Sequence, residues 1–292
     1  MFGNCRLALG TVQFGLDYGV ANAVGMVSDK DANNILKLSN EHGIDTLDTA
    51  IGYGCSEERL GALGVSNWKV VTKILALPDN KENLISWIQG EVAKSINRLR
   101  CSNLYGLLLH KASDLLGEYG PTIYSTLMAL KDRGLIKKIG VSIYDFDELN
   151  KILELFEIDL VQVPFSIVDR RLVTTGLLDL MKSNGIEVHV RSVFLQGLLL
   201  MDVKDHNPYF SRWGNLWEKL DEWRSSNNLT ALSSCLCYPL SIEGIDKVIV
   251  GVDSADHFSE ILSASEVIVP EIPNDIYSED PDLINPSLWK TI

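Results

Sequence analysis

Four residue types that can manage a proton together stand in a fixed order in the first half of the chain. Asp48 and Tyr53 lie five apart in LDTAIGYGCSEERLGAL, Lys73 follows in the strand-like KVVTKI, and His110 ends NLYGLLLH. Hydride arriving at a carbonyl carbon builds negative charge on the oxygen, and that charge must be held or quenched by a proton. A tyrosine hydroxyl has a reference pKa of about 10, high for an acid working near neutrality. A neighbouring lysine ammonium favours the phenolate and lowers that value. A carboxylate paired with the lysine keeps it charged and aimed, and an imidazole can hold the carbonyl oxygen or relay the proton. The set therefore reads as Tyr53 the acid, Lys73 its tuner, Asp48 the orienter and His110 the positioner. Each residue alone has an ordinary structural reading. Their shared order at strand ends favours the catalytic one.

Such residues meet only if regular elements bring them together. Short apolar runs rich in β-branched residues predict strands over 7–15, 44–50, 69–74, 103–110, 136–142, 160–166, 186–192 and 247–252. Near-continuous apolar character is expected of strands covered on both faces. Helical patterns fill the intervals. One runs from the cap-like Ser28 to Gly43, with others over 79–100, 121–134, 145–156 and 174–185. A long helical pattern after 209 carries Trp213, Trp217 and Trp223, a spacing that suits a packing stripe. Eight strands, each followed by helical sequence, predict an α/β fold of the (β/α)8 TIM-barrel type. A doubly wound sheet competes poorly, because GTVQFGLDYG after the first strand lacks the G-x-G-x-x-G spacing. The expected organisation is a single barrel domain over 1–269 and an irregular tail over 270–292. The tail carries Pro270, Pro273, Pro281 and Pro286 and is expected near the barrel mouth. Active sites of such barrels lie where the strand C-termini meet. Asp48, Lys73, His110, Ser142, Gln162 and Arg191 all fall there, and packing alone gives no reason for polar residues at successive strand ends. Gln13, Phe14, Tyr18 and the tail residue Trp289 are expected to complete the lining.

Composition narrows the partners. The chain has 292 residues and a formal net charge of −13, which argues against a nucleic-acid surface. No stretch reaches the roughly 18 apolar residues of a membrane span, and MFGNCRLALG lacks the pattern of a secretory signal. The five cysteines, Cys5, Cys55, Cys101, Cys235 and Cys237, have no regular spacing and suit reduced thiols in the cytoplasm. Neither Cys235 and Cys237 nor His42, His189 and His206 have metal-ligand spacing, so no metal is expected. A small-molecule carbonyl substrate is the expected partner, with the oligomeric state left open.

In the order and spacing of these segments the chain resembles the aldo-keto reductases. The resemblance spans nearly the whole length through LALGTVQFG, LDTAIGYGCSEERLG, Lys73, His110, IGVSIYD, VQVPFS, RSVFLQGLL and VIVGVDSADHFSEIL. It implies a (β/α)8 barrel, an NAD(P)H-dependent reduction of an aldehyde or ketone, and catalysis by Asp48, Tyr53, Lys73 and His110. It also implies a nicotinamide cofactor, usually NADPH, lying extended across the barrel mouth. Contacts to that cofactor are implied at Gly10, Thr11, Asp48, Ser142 and Gln162. Further contacts are implied at Arg191, Gln196 and Gly197, and at Gly251, Asp253, Ser254, His257 and Glu260.

Three departures from the family pattern matter. Ile143 follows Ser142 where the family usually has asparagine. Arg191 stands where many members stack a tyrosine on the nicotinamide, and a planar guanidinium can stack too. The stretch Gly251-Val252-Asp253-Ser254 lacks the cationic clamp usual for a 2′-phosphate, with His257 where an arginine often sits. Asp253 would repel such a phosphate or accept from a ribose hydroxyl, so NADH is an alternative cofactor. Two other functions stay open at this level: a non-catalytic cofactor-binding regulatory subunit, and an epimerase or dehydratase of a sugar-like substrate that recycles a tightly held nicotinamide.

Overall fold

The computed structural model describes residues 6–20, 22 and 25–289. Eight parallel strands close into a barrel in chain order: β1 (Leu7–Gly10), β2 (Thr46–Asp48), β3 (Lys69–Ile74), β4 (Leu104–Leu109), β5 (Ile136–Ser142), β6 (Leu160–Pro164), β7 (Glu187–Arg191) and β8 (Lys247–Gly251). The barrel closes by pairing β1 with β8, Gly10 opposite Gly251. All eight expected strands are present, several shorter than the apolar runs that announced them. The first run shows why. After Gly10 the backbone leaves the sheet for a 3-10 turn, Val12–Phe14, and Phe14 is fully buried although it belongs to no strand. Apolar character there serves packing rather than pairing.

The helices pack around the barrel: α1 (Asp29–Glu41), α2 (Ser56–Leu63), α3 (Leu84–Leu99), α4 (Gly120–Asp132), α5 (Phe146–Leu155), α6 (Arg171–Thr174), α7 (Leu177–Ser183), α8 (Gly214–Ser226), α9 (Ala231–Ser241), α10 (Ala255–Ala264) and α11 (Pro281–Ile284). Side-chain caps set several starts: Ser28 accepts from Asp31 N, Asp145 from Asp147 N and Glu148 N, and Thr230 from Ser233 N. The long pattern after 209 resolves into a 3-10 segment, Pro208–Trp213, then α8 and α9. Its tryptophans pack as expected: Trp217 and Trp223 are buried, and Trp213 lies against Tyr209 and Phe210.

Alternation sorts the strand residues. One set faces the helices in a large apolar core. The inward set is layered. Val71, Leu108 and Leu160 form a separate apolar plug inside the barrel, and Gly106 and Gly140 make room for it: a Cβ at Gly106 would meet Val71, and one at Gly140 the Leu108 side chain. Beneath the plug lies a charged floor, where Glu187 accepts from Lys138 and from the Tyr105 hydroxyl and Asp45 pairs with Lys69 and Lys247. Above it, the same inward positions carry the polar residues of the mouth.

No tail residue up to Trp289 lines the cavity at that mouth. Ser278 N donates to Val168 O, Arg212 pairs with Asp280 and Asp282, and the Trp289 ring lies 4.9 Å from Phe210. These contacts draw the tail toward the loop after β6 and the aromatic cluster before α8. Among the described residues, four cysteines are free thiols, none of the histidine, cysteine and acidic clusters could hold a metal ion, and no helix is long and apolar enough to cross a membrane. Cys5 lies outside the described residues.

Candidate active site

Asp48, at the end of β2, is held from both sides. Its Oδ2 accepts from Lys73 Nζ at 2.7 Å, and its Oδ1 accepts from Gln162 Nε2 at 2.7 Å. Lys73 rises from β3, and its ammonium is almost wholly buried, at 1% exposure. It also donates to Thr49 O at 3.0 Å and stands 3.5 Å from the Tyr53 hydroxyl. Burial opposes the ammonium more than any single neighbour favours it, but the Asp48 carboxylate and the Tyr53 phenol together outweigh it and the lysine pKa is raised. Lys73 therefore stays charged beside the phenol.

Tyr53 sits on the turn between β2 and α2, and that turn is tightly fixed. Tyr53 N donates to Ala50 O and its carbonyl accepts from Ser56 N, each at 3.0 Å. Gly15 packs so closely that a Cβ there would lie 1.9 Å from Tyr53 O. Only glycine permits that approach. Two charged residues of SEERLGAL anchor the helix behind it. Glu57 is buried and accepts from Thr72 and Ser95 hydroxyls at 2.7 Å, and it pairs with Arg98 at 2.6 Å. Arg59 donates to Phe14 O at 2.6 Å and Val27 O at 2.8 Å. Sequence reasoning missed this brace. A Glu and an Arg at the start of a short helix read as solvent-facing until the partners are known.

His110, just past β4, meets Tyr53 edge to face with ring centroids 6.1 Å apart. His110 is open to water on the cavity side, yet desolvation by the surrounding wall, with Lys73 and Arg191 nearby, pushes its pKa down to about 4. The imidazole is thus neutral near pH 7 and can donate a single N–H to an oxygen.

These four residues share one cavity of about 390 Å³ with Gly10, Thr11, Ser142, Gln162, Arg191, Gln196, Gly197, Gly251, Asp253 and His257. Its far wall is a relay: Ser142 Oγ donates to Gln162 Oε1 at 3.1 Å, and Gln162 passes on to Asp48. Ile143 points into the core, and the next residue, Tyr144, enters the lining instead. The Arg191 guanidinium lies 3.9 Å over the Tyr144 ring and donates to Ile143 O at 2.8 Å and Ser192 Oγ at 3.1 Å. Tyr144 had no sequence signal of its own, since its role comes only from its stacking on Arg191.

The loop after β7 has an unusual backbone. Ser192, Leu195, Gln196 and Gly197 have φ of 62°, 44°, 55° and 93°. Left-handed conformations at three non-glycine residues are costly and persist only where the surroundings over-determine them. The buried Arg224 supplies one restraint, donating to Leu199 O at 3.1 Å. Gln196 supplies another, donating across the cavity to the Tyr18 hydroxyl at 3.0 Å. Tyr18 is partly exposed, but desolvation at the cavity wall, with Tyr144 and Tyr53 nearby, pushes its pKa up to about 12, so its hydroxyl keeps its proton.

At the β8 end, two residues of the lining each carry a buried acceptor with no protein partner, Gln13 Oε1 and Asp253 Oδ1. Burial raises the Asp253 pKa, opposed by the nearby His257, whose Nδ1 is 4.0 Å from Asp253 Oδ2. Ser254 does not line the cavity; its hydroxyl caps α10 by accepting from His257 N at 3.1 Å. Glu260, one turn further along α10, borders a separate open groove with Thr230, Ser259 and Ser263. Phe14 and Trp289 are also absent from the lining, one buried beneath it and the other held in the aromatic cluster.

Comparison with known proteins bears on the family and the fold. The Escherichia coli (strain K12) protein named NADH-specific methylglyoxal reductase is 26% identical over 261 residues, covering 77% of this chain and 79% of that protein. Two solved structures share the fold. The aldo-keto reductase AKR11C1 of Bacillus halodurans, in its holo form, has a TM-score of 0.70 at 21% identity, over 91% of this chain and 88% of its own. The glycerol dehydrogenase AKR11B4 of Gluconobacter oxydans has a TM-score of 0.69 at 18% identity, with the same 91% and 88% coverage. The model of the aldo/keto reductase family matches residues 6–272, nearly the whole barrel, and the chain belongs to that family of carbonyl oxidoreductases.

Proposed function

We propose that this protein reduces a small polar aldehyde or ketone with a nicotinamide cofactor, Tyr53 being the proton donor. The observation that supports it most is the buried Lys73 ammonium, clamped by Asp48 at 2.7 Å and standing 3.5 Å from the Tyr53 hydroxyl. A carbonyl oxygen between Tyr53 and His110 meets two donors, the phenol and the neutral imidazole. Lys73 stabilises the phenolate left when Tyr53 gives up its proton, and Asp48 prevents the ammonium from turning away.

Groups of the cavity lining support a nicotinamide dinucleotide as its occupant. Ser142 and Gln162 offer amide-recognising groups at its deep end. The missing Cβ at Gly251 leaves room for the Gln13 side chain, which that Cβ would meet at 2.7 Å, and Gln13 and Asp253 add polar groups to the lining, with Gln13 Oε1 and Asp253 Oδ1 left without a protein partner. When bound, the reduced cofactor supplies the hydride. A half-buried carboxylate at position 253 favours a ribose hydroxyl over a phosphate, so NADH is accepted at least as readily as NADPH. The similarity to a protein named for NADH and methylglyoxal makes that pair the first to test.

The experiment is cofactor oxidation followed by absorbance, with methylglyoxal and a panel of small aldehydes. The native protein should turn over. Tyr53→Phe should lose roughly 10²-fold or more in kcat, the scale of a lost general acid, while cofactor affinity stays within a few-fold. Near-native turnover by Tyr53→Phe would remove the assignment.

A further inference from the structure

Arg191 places a permanent positive charge at the cavity wall. A guanidinium does not lose its proton in a protein. Its donors go to neutral oxygens, Ile143 O and Ser192 Oγ, and no ion pair to it is present among the described residues. Asp48, the acid that shares the deep cavity, is already bound by Lys73 and Gln162. One face of the guanidinium is covered by Tyr144 at 3.9 Å, and Arg191 also lines the cavity.

This inference rests on the nicotinamide reading above. Hydride transfer needs the reacting carbons about 3–3.5 Å apart. With the carbonyl oxygen at Tyr53 and His110, on the β2 and β4 side, the ring must lie toward the opposite wall of Ser142, Gln162 and Arg191. The oxidised nicotinamide ring is cationic and the reduced ring is neutral. A like charge at this range disfavours only the oxidised form, and the partly buried setting weakens solvent screening.

We propose that Arg191 discriminates between the two redox states of the cofactor, holding the reduced form and expelling the oxidised one. The advantage lies in capture of the reduced cofactor and release of the spent one. Within the bound complex the same charge makes hydride departure harder by the same factor. A tenfold preference for the reduced form raises the potential of the bound couple by about 30 mV.

The test measures dissociation constants of NADH and NAD+ by fluorescence and calorimetric titration, on the full-length native protein and on three variants. Arg191→Met removes the charge. Arg191→Gln removes it while keeping a donor for Ile143 O, and so covers a folding defect in the first. Arg191→Lys keeps the charge without the plane. The native protein should bind NADH at least tenfold more tightly than NAD+. That ratio should fall about tenfold in the Met and Gln variants and be largely kept in the Lys variant. A native ratio near one, or a ratio unchanged while both affinities fall together, overturns the proposal and leaves Arg191 as an uncharged-equivalent stacking surface. Failure of the native protein to bind either form, with NADP+ and NADPH also tried, overturns the nicotinamide reading itself.

Discussion

Gln162 Nε2 on β6 donates to Asp48 Oδ1 on β2 at 2.7 Å, a bond across the barrel between residues 114 apart in the chain. It links Gln162 to the proposed catalytic set, and the same side chain accepts from Ser142 on the wall proposed to hold the cofactor. Replacing it with leucine leaves one oxygen of a buried carboxylate without its donor. A buried unsatisfied group costs about 1–3 kcal/mol, more when charged. Gln162→Leu should therefore lose stability on that scale in urea unfolding and lower kcat as well as cofactor affinity. A variant impaired in affinity alone would show that the Asp48 bond has no catalytic consequence.

The Lys73–Asp48 pair should behave as a unit. Both side chains are nearly inaccessible, at 1% and 7% exposure. Removing one partner of a buried pair costs about 3–5 kcal/mol, because the other charge is left unpaired. Lys73→Met and Asp48→Leu should each be strongly destabilising and inactive. The double variant should be more stable than the sum of the two losses allows, while remaining inactive. Additive stabilities, measured by denaturant titration of all four proteins, would contradict the coupling.

His110 should not titrate in the neutral range. Its folded-state pKa is pushed down to about 4, against about 6.5 for a free imidazole. The unfolded chain therefore takes up the proton first on acidification. Stability from this group is fully present above about pH 6.5 and is lost as pH falls toward 4. The ring is open to water on the cavity side, which screens the effect, so the slope should be shallow. NMR titration of the ring carbon should show a midpoint well below 6, and His110→Gln should flatten the acid limb of stability between pH 4 and 6.5. A midpoint near 6.5 would contradict the neutral-donor role.

Asp253 should set the cofactor ratio. It is half-buried, its Oδ1 has no protein partner, and His257 Nδ1 lies 4.0 Å from its Oδ2. Each charge-assisted hydrogen bond to a phosphate contributes about 1.5–3 kcal/mol, and a carboxylate in that place removes the gain and adds repulsion. The native dissociation constants for NADPH and NADH should differ by less than about tenfold or favour NADH. Asp253→Asn should move the ratio toward NADPH. A native preference for NADPH above about a hundredfold, near 2.7 kcal/mol, would mean that other donors clamp the phosphate.

Much of this protein was legible before any coordinate. The eight strands were readable because burial on both faces leaves a continuous apolar run, a local property of the chain. The order Asp48, Tyr53, Lys73, His110 was readable because a barrel places successive strand ends around one rim. Strand lengths were less readable: Phe14 is apolar for packing, not pairing, and local pattern does not separate the two. The layered interior escaped sequence reading entirely, since the plug of Val71, Leu108 and Leu160 forms only when strands from three parts of the chain face one axis. The same holds for Gln162 against Asp48, Arg191 over Tyr144, and Gln196 reaching Tyr18 across 178 residues. Which residue types were available was a matter of sequence. Which of them share a cavity, and which, like Ser254 and Glu260, are turned to capping a helix or lining another groove, followed from barrel closure and helix phase, which no local window contains.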